Sequence, residues 1–546
     1  MGRIDHLMIL PIVLPMVAGA VMLLINERHR IMKGAIDLGS VLALLGVAIA
    51  LLKASDAAPA GMASEVGVYR LGDWPAPFGI VLVVDRLSAL MLVLTSLLAL
   101  ASAVFSLARW HRAGAHFHSL FQFLLMGLNG AFLTGDLFNL FVFFELLLAA
   151  SYGLVLHGSG VARVRAGLHY IAVNLSASLL FLIGVSLIYG VTGTLNMADL
   201  AVRIPEVQPG DRALLEAGAA ILGIAFLVKA GMWPLSFWLP TTYSAAAAPV
   251  AAIFAIMSKV GVYVILRLWL LFFGADSGVS AEFGGSLLLS IGMATMIFGA
   301  IGVLASQDMG RLAGFSVLVS SGTVLAAIAT DQVGVIGSAL FYLVSSTLAI
   351  SAFFLLIELV ERGRDPGADV LAVTREAYGD DEEDPLMADE IGIAIPATMA
   401  VLGLCFIGCA LVLAGLPPLS GFIAKFAVLT ELLNPPGHEA GDSLPVTAWA
   451  LLVLLILTGL MTLIAMTRAG IRAFWMPLER SVPRVRLIEI APVIVLLLAC
   501  MTLTAQAEAA MRYMQAAAGA IHARQDYVHS VLTAPGAEDV SSRSRP

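Results

Sequence analysis

Charge is what this chain has least of. Charged residues fill 12% of its 546 positions and hydrophobic ones 60%, and the mean hydropathy is +0.95. Soluble domains carry about 25% charged residues. A soluble globular fold is excluded on that ground, and the chain reads as a polytopic membrane protein. The 30 basic residues are outnumbered by 38 acidic ones, for a formal net charge of -8. Much of the acidity sits in "GDDEEDP", from Gly379 to Pro385. Nucleic-acid binding needs a basic patch and is not indicated. Cysteine is scarce too: Cys405, Cys409 and Cys500, all in apolar runs. Cys405 and Cys409 stand one helical turn apart. With no histidine or third cysteine nearby they read as small core residues, not metal ligands. No CxxC, no P-loop and no dinucleotide fingerprint in a strand context is present, so no cofactor or resident metal is expected.

What is abundant is the long apolar run. A span needs about 20 such residues. The runs predict an all-α membrane protein of about fourteen helices, at 7–25, 35–53, 80–107, 118–135, 137–157, 167–190, 214–232, 246–273, 286–305, 311–329, 332–360, 391–413, 446–467 and 488–507. No Ala-x-Ala cleavage site follows the first run, which is read as a spanning helix. Shorter apolar pieces after Pro234 and Pro418 look like second halves of broken helices.

Basic residues fall mostly on one set of connections. The first holds Arg28, Arg30 and Lys33, the third Arg109 and Arg112, the fifth Arg163 and Arg165, the ninth Arg311. The thirteenth holds Arg468, Arg472, Arg480, Arg484 and Arg486. The opposite set is diluted only by Lys53, Arg70, Arg203 and Arg212. The positive-inside rule makes the richer set cytoplasmic and puts the N-terminus on the outer side. An even helix count returns the tail "HARQDYVHSVLTAPGAEDVSSRSRP" to that side, where its polarity predicts mobility. The connection at 361–390 is expected to be a solvated acidic loop, with a contact to a neighbouring subunit as the alternative.

Two stretches echo each other. In "GMWPLSFW" and "GLPPLSGF", Gly231, Pro234, Leu235 and Ser236 match Gly415, Pro418, Leu419 and Ser420. Pro417 reinforces the second break. Lys229 precedes the first break and Lys425 follows the second. Paired broken segments in two halves point to a transport site. Five predicted helices separate one break from the next, and an odd number inverts the second unit in the membrane.

Ionisable residues within spans are functional candidates by default. Four stand out: Glu145 in "LFVFFELLLAASYG", Lys229, Lys259 in "AIFAIMSKVGVYVILR", and Lys425 in "SGFIAKFAVL". A snorkelling or locally paired charge is the alternative for each, least so for mid-helix Glu145. A lysine taken out of water can take and release a proton near neutral pH, and a carboxylate nearby opposes the release. Hydroxyls or water must bridge such sites. Ser151, Tyr152, Ser176, Ser178, Ser236, Thr241, Thr242, Tyr243 and Ser258 are candidates, although Ser and Thr also line ordinary helix contacts. His169 reads as a packed polar residue or a relay member. The breaks fit this picture, because unwound backbone at membrane depth must be buried or line a wet cavity.

"TGDLFNLFVFFELLLAASYGLVLHG", "VKAGMWPLSFWLPTTYSAAAAPVAAIFAIMSKVGVYVILR" and "AGLPPLSGFIAKFAVL" resemble the antiporter-like subunits of Mrp-type cation/proton antiporters and of respiratory complex I. The likeness runs from about Asp85 to the thirteenth helix. It is greatest to the D subunits of bacterial Mrp antiporters, in particular those of the Pha potassium-efflux (Pha/Mnh-like) type. The resemblance implies fourteen helices with two inverted five-helix repeats and two broken helices. Residues 1–117 then form the three N-terminal helices, 118–273 the first repeat, 286–467 the second, and 488–546 the last helix and tail. It implies a proton relay of Glu145, Lys229, Lys259 and Lys425, with Asp136 in the same motif in a less defined role. Where complex I relatives often carry histidine, this chain has serines. The link from Lys259 to Lys425 is therefore expected to use water with Ser320, Ser321, Ser345, Ser346 and Thr347. Glu358 is a candidate interface or proton-loading charge. The implied function is that of a non-enzymatic subunit of a multisubunit Na+ or K+/proton antiporter in a bacterial cytoplasmic membrane, assembled with other subunits. The alternative is a proton-pumping membrane-arm subunit of an NADH-quinone oxidoreductase. A stand-alone carrier would be active by itself, which is not expected.

Overall fold

Hydrocarbon offers a backbone no water to bond, so spanning segments close their hydrogen bonds within helices. The computed structural model describes residues 5–57, 66–275, 277–362, 397–435, 444–475 and 484–534. Among them run α1 (Leu10–Leu24), α2 (Arg30–Asp56), α3 (Arg86–Ser106), α4 (Phe117–Leu133), α5 (Leu137–Val155), α6 (Val161–Thr192), α7 (Met197–Arg203), α8 (Pro209–Ala230), α9 (Trp238–Ala245) and α10 (Ala248–Phe273). The chain continues with α11 (Gly285–Ala305), α12 (Met309–Ile328), α13 (Val333–Glu361), α14 (Ala397–Ala414), α15 (Ser420–Leu433), α16 (Val446–Gly470), α17 (Leu487–Ala505), α18 (Ala507–His522) and α19 (Arg524–Leu532). Each predicted span has a helix at its place. Among the described residues, twelve helices are long and apolar enough to cross a membrane; α1 and α4 are apolar but shorter. The chain is a multi-span integral membrane protein. The predicted acidic loop lies outside the described residues from 363 onward.

Two expectations need correction. The third helix does not begin at 80. Val81–Val84 is a strand, β2, paired antiparallel with β1 (Gly67–Arg70). An apolar run of that length suits strand or helix, and the cap decides. The Asp85 carboxylate accepts from the Ser88 amide and the Ser88 hydroxyl from the Asp85 amide, each at 2.9 Å, which starts α3 there. The tail is also more ordered than its polarity predicts. Arg524–Leu532 is helical, with Tyr527 and Val531 buried. The Arg524 guanidinium donates to the Ala201 carbonyl at 2.7 Å and the Ser277 hydroxyl at 2.9 Å.

In chain order, five spans, α4, α5, α6, α8 and α10, are followed by five more, α11, α12, α13, α14 and α16. In each set the fourth span is the broken one, continuing as α9 or α15. One end of the bundle gathers Arg109, Trp110, Glu358, Arg362 and Glu489 into one network, with distances of 2.7–3.6 Å. Glu358, a candidate interface charge by sequence, is thus spent inside the chain. The other end carries Tyr513 against Ser55 at 3.3 Å and His522 against Asp331 at 3.3 Å. The tail therefore lies with the connections poor in arginine.

The core sits on α10 and α13, buried along nearly their whole lengths. Glycines let the surrounding helices approach closely. A Cβ at Gly261 of α10 would stand 2.8 Å from the Ala230 amide nitrogen of α8. Gly261→Leu is expected to push these helices apart and destabilise the fold by about 1–3 kcal/mol. Thermal unfolding in detergent, followed by size-exclusion chromatography, would read this as earlier loss of the monodisperse peak. An unchanged profile would contradict the tight contact.

Candidate functional site

A helix that stops inside a membrane strands carbonyls, and other groups must take them up. α8 stops at Gly231, whose φ of 70° is left-handed and suits glycine. The chain turns through Pro234 before α9 begins. The Trp238 indole N–H bonds the Val228 carbonyl at 3.3 Å, and the Trp233 amide bonds the Thr295 hydroxyl of α11 at 2.9 Å. α14 stops at Gly415, φ 78°, before Pro417 and Pro418. There the lysine does the work: the Lys425 ammonium donates to the Ala414 carbonyl at 3.0 Å. The negative end of the α14 dipole faces it.

Lys229 is in the last turn of α8 and buried. Its ammonium donates to the Ser178 hydroxyl of α6 at 3.3 Å and lies 5.0 Å from the centre of the Phe144 ring. Ser178 in turn donates to the Glu145 carboxylate of α5. Carboxylate, hydroxyl and ammonium make one hydrogen-bonded chain, with Ser178 as the joint.

Lys259 has no exposed surface. Its ammonium donates to both Ser320 and Ser321 of α12, each at 2.8 Å. Ser320 reaches Ser346 of α13 at 2.7 Å. Ser345 pairs with Ser420, the first residue of α15, at 2.8 Å. Between these two hydroxyl pairs lies a cavity of about 10 Å³ lined by Ser320, Ser345, Ser346, Leu413 and Gly421. A polar cavity near that size is at the threshold for one water. Lys425 stands on the same α15 as Ser420. The close contact of Gly261 with Ala230 brings α10, the helix of Lys259, against the end of α8 that carries Lys229.

Other candidates lie elsewhere. Asp136 caps α5, accepting from the Phe138 and Asn139 amides at 2.8 and 2.9 Å. His169 is exposed on the outer side of α6, beside Phe237. Ser176 is exposed as well. Thr347 bonds the Leu343 carbonyl of its own helix at 2.6 Å and bridges nothing. Ser236 is buried with no hydrogen-bond partner among the described residues. Cys405, Cys409 and Cys500 are buried free thiols.

Two contributors escape a reading of the chain one span at a time. Ser420 belongs to the chain of hydroxyls, and its match with Ser236 in the repeat was the signal available. Gly459 of α16 leaves the slot that Lys425 fills: a Cβ there would stand 3.1 Å from the ammonium. Nothing local in the sequence marks it.

A family profile described as NADH:quinone oxidoreductase/Mrp antiporter, transmembrane, matches residues 134–436. A probable K(+)/H(+) antiporter D subunit of Rhizobium meliloti (strain 1021) is 64% identical, over 98% of this chain and 99% of that protein. An Na(+)/H(+) antiporter D subunit of Alkalihalophilus pseudofirmus is 34% identical, over 86% and 87%. A chain in the structure of the Mrp complex from Dietzia sp. DQ12-45-1b superposes with a TM-score of 0.81 at 25% identity, covering 97% of this chain and 100% of that one. The matched segment contains Glu145, Lys229, Lys259, Lys425 and both helix breaks. The chain therefore belongs to the NADH:quinone oxidoreductase/Mrp antiporter transmembrane family.

Proposed function

We propose that this chain is a proton-translocating subunit of a multisubunit monovalent cation/proton antiporter, and that protons move along Glu145, Lys229, Lys259 and Lys425. It is a transporter component, not an enzyme. The observation that carries the relay is the bonded series Glu145–Ser178–Lys229 at the first break, with Lys259–Ser320–Ser346 beyond it. Lys259 and Lys425 bond hydroxyls or carbonyls rather than a carboxylate, and Lys229 reaches Glu145 only through Ser178, so none is locked in a direct ion pair. The serine pairs and the cavity between them take the place a histidine holds in other proton relays. Relatives named as antiporter D subunits support assembly with other subunits in a bacterial cytoplasmic membrane, with the arginine-rich end of the bundle inside and both termini outside. Potassium is favoured over sodium as the exchanged cation, because the K(+)/H(+) relative is 64% identical and the Na(+)/H(+) relative 34%.

The test uses the assembled complex in membrane vesicles, with no NADH or quinone supplied. Adding K+ or Na+ against an imposed pH gradient should release protons at a measurable rate. Glu145→Gln keeps the size and the hydrogen bond to Ser178 but cannot hold a charge. It should lower the rate by about 100-fold or more, the scale on which proton-transfer groups act. Exchange at the wild-type rate would remove Glu145 from the relay. Failure of the intact complex to exchange without NADH would favour the membrane-arm reading.

A further inference from the structure

A second buried titratable couple lies outside the relay, between α2 and α4. Asp37 is 1% exposed and His118 is 4% exposed. The His118 imidazole Nδ1 meets Asp37 Oδ2 at 2.7 Å. The Gln122 amide donates to Asp37 Oδ1 at 2.6 Å, and the Ser40 hydroxyl donates to the Gln122 carbonyl oxygen at 2.9 Å. A carboxylate accepts hydrogen bonds, so Nδ1 carries the proton and Nε2 keeps its lone pair. Ser40 holds Gln122, Gln122 holds Asp37, and Asp37 fixes the imidazole. Only Nε2 is unspent: it is buried and has no partner among the described residues.

A purely structural tie would satisfy both ring nitrogens, since a half-satisfied buried network is a liability. One neighbouring histidine shows what such a tie looks like. His111 bonds the Ser106 carbonyl through Nδ1 at 3.2 Å, and Arg112 donates to its Nε2 at 3.3 Å. His157 bonds the Trp110 carbonyl at 2.9 Å. Burial pushes both below the usual imidazole range. Neither has a carboxylate behind it. His118 does: Asp37 Oδ2 stands 2.7 Å from its Nδ1.

We propose that Asp37 and His118 form a proton-binding couple, separate from the relay, that binds and releases a proton at His118 Nε2. A proton arriving at Nε2 makes the imidazolium. Nδ1–H stays on Asp37, and the new positive charge faces the carboxylate. Release from the same nitrogen restores the starting state, so one proton is bound and one returned. Nε2 faces Gly34, where an added Cβ would stand 3.7 Å away. The charged surroundings are few. On α2, Lys33 is paired with Glu27, which also holds His116 at 3.0 Å. The α3–α4 connection contributes His111, its ring centre 6.1 Å from that of His118, together with Arg112. His157 stands beyond the Phe117 ring. α1 carries no charged residue.

The test uses the purified full complex, with infrared difference spectra recorded across a pH titration on protein labelled with ring-15N histidine and on unlabelled protein. A label-sensitive imidazole band is expected in the wild type and lost in His118→Gln. Lys229→Ala, which stops the relay, should leave the band in place, so the two proposals fail separately. In Asp37→Asn the proton is held less tightly. The pH at which the imidazole band appears should move to lower pH by about one unit or more, and Asp37→Glu should restore it. A wild-type spectrum identical to that of His118→Gln would overturn the proposal, as would a band that titrates at the same pH in Asp37→Asn. Should Asp37→Asn not assemble, the His118→Gln comparison decides alone.

Discussion

Vesicles carrying the complex with Lys229→Ala are expected to show no cation-driven proton movement, a loss of about 100-fold or more, while assembly persists. The side chain ends where α8 stops, bonded to the Ser178 hydroxyl and resting on Phe144. Alanine removes the proton carrier and leaves Ser178 and Glu145 bonded to each other. Glu145 loses the ammonium it reaches through Ser178 but keeps its bond to that hydroxyl, so the complex is expected to hold together. Copurification of the other subunits would confirm assembly. The decisive companion is Lys229→Arg. A guanidinium keeps the charge and the ring contact but does not give up its proton. If Lys229 only balances charge, arginine restores exchange. If it passes a proton, arginine is as inactive as alanine. Restoration by arginine would sink the relay role.

The intramembrane charges were legible because hydrocarbon makes them costly, and no counter-argument from packing explains Glu145 at mid-helix. The breaks were legible because glycine and proline interrupt otherwise continuous runs at matched places. The hydroxyls were not. Ser178 and Ser176 are two residues apart on α6, so one faces Glu145 and the other faces outward. That difference depends on the rotation of a helix whose apolar residues surround it almost evenly. His169 was ambiguous for the same reason. Gly459 could not be found, because its role depends on Lys425 arriving from another helix. Val81–Val84 and the tail show the complementary failure. Local composition allowed a helix in the first and mobility in the second, and tertiary contacts with Gly67–Arg70 and with α7 chose otherwise. Asp37 lies near the end of a span and nothing local marks it; only the fold sets His118 beside it.

Lys259→Ala should be as damaging as the change at Lys229, for a different reason. Lys259 belongs to the first set of five spans, and both of its hydroxyl partners belong to the second. In the proposed relay it is the group through which α10 would hand a proton to α12. Beyond it come Ser346, the small cavity, and the Ser345–Ser420 pair, whose Ser420 opens the helix that carries Lys425. With alanine there, the two halves remain but are disconnected, and exchange should fall by about 100-fold or more. Ser320→Ala interrupts the next step while keeping the lysine, and Ser321 still accepts from the ammonium. Its rate should fall between wild type and Lys259→Ala, and Ser320→Thr, which keeps the hydroxyl, should recover most of it. A wild-type rate in Ser320→Ala combined with an inactive Lys259→Ala would show that the proton leaves by Ser321 instead. Wild-type exchange in Lys259→Ala would break the relay at its centre, because no other ionisable side chain among the described residues bonds both sets there.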